Sequence, residues 1–72
     1  MTALEQVATE YGVTPEAIVG PSRRADVVAA RWAVVQAMRM QGATLRACGG
    51  AVHRGHAAVI HALREGVPHW AR

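Results

Sequence analysis

The sequence predicts an all-α domain of about five helices, the last two arranged as a helix-turn-helix. Three observations carry that expectation. Threonines stand just before helical stretches at capping positions, glycines and prolines divide the chain, and apolar residues recur three or four apart. Of the 72 residues 51% are hydrophobic, but much of that is alanine and valine, and there is no Phe. Such a composition suits helices packed closely and leaves no room for a large enclosed substrate cavity. A chain this short buries only about 60% of its unfolded surface, so its core is thin.

The elements follow in order. Thr2-Ala3-Leu4-Glu5 has the form of a capping box, in which the hydroxyl takes a first-turn amide and the acid reaches back. Leu4, Val7, Ala8 and Tyr11 share one face of the helix it starts, and Gly12 ends it. Thr14-Pro15-Glu16 restarts a helix with an N-cap, a proline at the first helical position and an acid beside the positive end of the dipole. This second helix lasts about a turn, to Gly20-Pro21. Ser22 is placed to cap the third and longest, from Arg23 or Arg24 to Gln41, closed by Gly42. Its apolar positions are Val27, Val28, Val34, Val35 and Met38, with Ala30 and Ala37 allowing close approach.

Thr44 caps a fourth helix that Gly49-Gly50 is expected to stop. The fifth runs from about Arg54 or Gly55 to Glu65, burying Val59, Ile60 and Leu63, with Gly66 and Pro68 ending it. Beyond it, Trp70 either packs back on the bundle or marks the start of a longer protein. The whole of 1–72 reads as a single domain, with the N-terminal part of a longer protein as the alternative.

The formal charge is +3, and all eight basic residues are arginines. A guanidinium fork matches phosphate and guanine edges better than an ammonium does, although a GC-rich genome also favours arginine. After Glu16 the only acids are Asp26 and Glu65, so the excess positive charge belongs to the half holding the helix-turn-helix. In such a motif the start of the second helix faces base edges in the major groove, and here it carries Arg54 and His56. Arg24 and Arg31 lie seven apart on one face of the long helix. Arg31 sits close to the apolar stripe. It either snorkels to solvent, pairs with Asp26 or Glu5, or holds a DNA phosphate.

Other chemistries find little support. His53, His56 and His61 lack a carboxylate partner and do not share one face, so no metal ligand set forms. Lone Cys48 cannot form an internal disulfide and falls at an apolar position, where cysteine behaves as a small hydrophobe. Trp32 lies at the edge of the long helix's apolar face, the usual place for half-buried packing. No Gly-x-x-x-x-Gly-Lys-[Ser/Thr] loop is present, so no nucleotide or other cofactor is expected, and no enzyme activity. No run approaches the roughly eighteen apolar residues of a membrane helix. A cytoplasmic, nucleoid-associated location is expected.

Taken together, five segments resemble the C-terminal DNA-binding domain (domain IV) of the bacterial replication initiator DnaA, a Trp-repressor-like helix-turn-helix. Tyr11 to Gly20 resembles the short helix before that domain's basic loop, and Ser22-Arg23-Arg24 resembles the loop. Ala29-Ala30-Arg31-Trp32-Ala33 resembles the alanine-arginine-glutamine stretch of the long helix, and Leu45 to Gly49 the leucine-proline-glutamate-isoleucine-glycine helix. Arg54-Gly55-His56-Ala57-Ala58-Val59-Ile60-His61-Ala62 resembles the arginine-aspartate-histidine-threonine-threonine-valine-leucine-histidine-alanine signature.

The resemblance implies double-stranded DNA as partner. It puts Arg23 and Arg24 at the minor groove, Arg31 on the backbone, and Arg54, His56, Ala57 and Ala58 at the major groove. Gly55 replaces the aspartate, Ala57 and Ala58 the two threonines, and Trp32 the glutamine, so specificity is expected to be relaxed or altered. Similar isolated domains occur in phage-derived regulators, including activators of gene transfer agents, joined to a part that touches RNA polymerase. That setting, with RNA polymerase reached through a domain outside this chain, is what the resemblance favours. An accessory origin-binding protein, or a docking module that has lost DNA binding, are the alternatives.

Overall fold

A computed structural model of the protein, which describes residues 2–65, contains five helices and, among those residues, no strand. They are α1 (Ala3–Tyr11), α2 (Pro15–Val19), α3 (Ala25–Met40), α4 (Leu45–Val52) and α5 (His56–Glu65). The expectations placed on Gly66, Pro68 and Trp70 lie outside the described residues. The long α3 is the axis of the bundle and packs on each of the other four helices. Val34 and Val35 on α3, Ile18 on α2, Val52 on α4 and Val59 on α5 meet in a core with almost no exposure.

The local signals act as the sequence indicates at most helix starts. Thr2 and Glu5 form the reciprocal capping box, and Gly12 takes the left-handed conformation at φ 68° to end α1. The hydroxyls of Thr14 and Thr44 accept from the amides of Ala17 and Ala47 at 3.1 and 3.0 Å. Ser22 differs from expectation. Its hydroxyl accepts from the amide of Arg24 within the loop, and α3 begins at Ala25 with Arg24 as an N-cap lacking a side-chain bond.

The fourth helix also departs from the prediction, because Gly49-Gly50 does not stop it. It continues to Val52 and ends at His53, which is held left-handed at φ 54°. Gly49 serves contact between helices. A Cβ there would lie 2.8 Å from the Arg54 carbonyl oxygen and 3.3 Å from Val59 Cγ2. The Gly49 carbonyl in turn accepts from the backbone N–H groups of His53 and Arg54. The absent side chain therefore lets the turn and α5 close onto α4. On α5, Val59 is buried as expected, but Ile60 is 37% exposed and Ala62 takes the core position beside α3. The Gln36 side chain fixes that approach by donating to the Ala62 carbonyl at 2.9 Å.

Two adjacent glycines should thus respond oppositely to alanine. Gly49→Ala is expected to cost about 1–3 kcal/mol through overpacking against backbone. Gly50 has open space around its Cα in a helix interior, so Gly50→Ala is expected to stabilise by about 0.5–1 kcal/mol. Urea unfolding of the two variants checks both signs.

Candidate nucleic-acid interface

The turn between α4 and α5 and the loop between α2 and α3 meet on one side of the bundle, and arginines hold them together. Arg31, on α3, is only 5% exposed. Its Nε donates to the Ile18 carbonyl at 2.7 Å, and its Nη2 reaches the carbonyls of Gly20 and Ser22 at 3.1 Å each and of Ala17 at 3.5 Å. It neither snorkels to solvent nor pairs with Asp26 or Glu5. Asp26 is bound instead by Arg24 at 3.0 Å, and Glu5 by Thr2. The physical reason is that α2 ends in a short turn whose last carbonyls need donors, and a planar fork reaches several at once. Nη1 takes none of these carbonyls.

Arg54, in the turn itself, reaches the same junction from the other side. Its Nη2 donates to the Gly20 carbonyl at 2.7 Å, while Nη1 donates to the carbonyls of Val52 and His53 at 3.2 and 3.1 Å. Two guanidinium groups therefore share one carbonyl oxygen. Burial, and then the charge of Arg54, holds the Arg31 guanidinium below its ordinary pKa. A cleft of about 500 Å³ lies over this junction, lined by Gly20, Pro21, Ser22, Arg23, Arg31 and Arg54 together with Val19. Among the described residues no carboxylate belongs to its wall. Concentrated cationic charge without an acid beside it is an arrangement suited to anions.

The other sequence-selected residues are placed as follows. Arg23 is exposed on the cleft rim, and Arg24 is exposed but turned to Asp26. His56 and Ala57 are exposed in the first turn of α5, which opens behind an exposed Gly55. Ala58 is half-buried and faces α3, where it helps line a small cavity with Trp32. Trp32 is half-buried and meets the His61 ring edge-on, with centroids 5.2 Å apart at 76°. A further arginine on α4, Arg46, is exposed and does not line the cleft. Cys48 is fully buried and directs its thiol toward the Val35 carbonyl at 3.8 Å. Gly20 is the residue that sequence reasoning missed. Its carbonyl is the meeting point, and only the placement of α2 against the turn reveals it.

The family model described as the bacterial dnaA protein helix-turn-helix matches residues 2–65. The comparisons with curated proteins and with solved structures give no match. With nearly the whole chain matched, the protein belongs to the DnaA C-terminal helix-turn-helix family, a DNA-binding domain and not an enzyme family.

Arg31 is expected to behave as a strut as well as a cation. Arg31→Met should lower stability by about 2–3 kcal/mol, because several carbonyls lose a charged donor. Arg31→Lys should recover little of it, since one ammonium cannot span the same set of acceptors. Thermal unfolding followed by circular dichroism gives the ranking.

Proposed function

We propose that this member of the DnaA helix-turn-helix family binds double-stranded DNA, with the start of α5 in the major groove and the Ser22 loop at the adjacent minor groove. The observation that carries the reading is the cleft in which Arg23, Arg31 and Arg54 come together with no acid from the described residues in its wall. Phosphate supplies the missing negative charge, and release of counterions drives the association. His56 and, through the Nε that its main-chain bonds leave free, Arg54 approach base edges, with the exposed Ala57 offering a methyl to a thymine methyl. Arg23 enters the minor groove. Arg24 joins it by leaving Asp26, an exposed ion pair worth only about 0–1 kcal/mol. Arg31 contributes Nη1 to the backbone.

Ala58 contributes packing in place of a base contact, because it faces the cavity beside Trp32. With alanine at 57 and 58 and glycine at 55, discrimination by hydrogen bonding falls on Arg54 and His56. Specificity is accordingly relaxed or altered relative to the initiator. The setting that fits is a transcription regulator of the phage or gene transfer agent type. There the domain works on the nucleoid with a further domain or partner that contacts RNA polymerase. No helix among the described residues is long and apolar enough to cross a membrane.

Fluorescence anisotropy against a random duplex and the initiator's consensus box, at two salt concentrations, tests this reading. With four to six phosphates contacted, affinity should fall by about 0.9 log units per contact for each tenfold rise in salt. The two duplexes should bind with similar affinity, and Arg54→Ala should weaken both by about 5- to 150-fold while remaining folded. Absence of binding at low salt, with Arg54→Ala indistinguishable from the parent, would favour a docking module instead.

A further inference from the structure

A second cavity lies under the first, between α3 and α5, and DNA contact gives it no role. It encloses about 130 Å³ and opens to solvent. Its floor is apolar, formed by Val35, Val52 and Val59, with Trp32 and Ala58 along its sides. The void arises because α5 presents the small side chains of Ala58 and Ala62, beside Val59, to this part of α3. Interior voids of this size are uncommon, and an apolar cavity of about 150 Å³ is large enough to take a benzene ring.

The rim adds a chemical preference. Arg31 and Arg54 both line this cavity, and among the described residues no carboxylate does. Their bonds to main-chain carbonyls use Nε and Nη2 of Arg31 and the two terminal nitrogens of Arg54. Among the described residues, Nη1 of Arg31 and Nε of Arg54 keep their donors uncommitted. No side-chain nitrogen among the described residues is both buried and without a partner, so these free donors face the open side of the cavity, where an anion can reach them.

We propose that this cavity is a binding site for a small aromatic carboxylate, its ring between Trp32 and Ala58 and its carboxylate on Arg31 and Arg54. The ring replaces water over the valine floor, and the carboxylate accepts the charge-assisted bonds the two guanidinium groups can still give. The same two arginines serve the DNA reading, so a carboxylate here would compete with a duplex, and the assignment is tested without DNA.

The test is a nuclear magnetic resonance titration of the full chain with benzoate, followed at the Trp32 indole and the backbone amides of α3 and α5. Acetate and toluene serve as the charged and the apolar halves of the same probe. Benzoate should bind with a Kd on the order of 1 mM, as suits so small a ligand, and at least tenfold more tightly than either half. Ala58→Leu fills the cavity and should abolish the shifts. Ala58→Val, a smaller change, should weaken them if the larger side chain disturbs folding. Toluene binding as well as benzoate would overturn the carboxylate assignment. So would shifts that survive both substitutions, or no shifts at all.

Discussion

The carbonyl oxygen of Gly20, shared by Arg31 and Arg54, is the constraint on which the functional side of this molecule depends. A short helix of five residues cannot hold its own C-terminal end, and α2 leaves carbonyls that need donors. Arg31 supplies them from α3, and Arg54 supplies one from the turn of the helix-turn-helix. Segments far apart in sequence are thereby tied at one atom. The cost is burial of a charge and, after it, proximity of a like charge, both of which lower the proton affinity of Arg31. Two neighbouring guanidinium groups are an arrangement that an anion stabilises.

Much of the fold was legible because its signals are local. Thr2, Thr14 and Thr44 each accept from an amide three residues on, and a hydroxyl before a helix announces that geometry in the sequence itself. Gly49 and Gly50 were misread because punctuation rules consider only the chain on either side. At Gly49 the reason for glycine is an Arg54 carbonyl five residues on, brought close by tertiary packing. The exposure of Ile60 and burial of Ala62 have a related origin. Gln36 draws the α5 main chain so close to α3 that only a methyl fits between them.

The candidate site was legible in its residue types more than in their roles. Arginines at 23, 31 and 54 could be selected from charge placement and motif, and they do line one cleft. That Arg31 would spend most of its donors on carbonyls as far as fourteen residues back had no sequence signature. Periodicity placed Arg31 beside the apolar stripe, and the surprise lay in what answered its charge. The partner is a row of main-chain dipoles, which no count of acidic residues detects. Ala58 is the complementary case. It faces α3 and the cavity, while its neighbour Ala57 is exposed in the same helical turn.

The central claim is that the Ser22 loop and the α4–α5 turn form one surface for a duplex because arginine donors lock them together. Amide chemical-shift mapping of the full chain, on addition of a random duplex at low salt, tests it most directly. The account predicts that the amides from 20 to 24 and from 53 to 58 shift together along a single binding curve, excepting proline. Shifts confined to one of these segments, or gathered instead on α1, would contradict it.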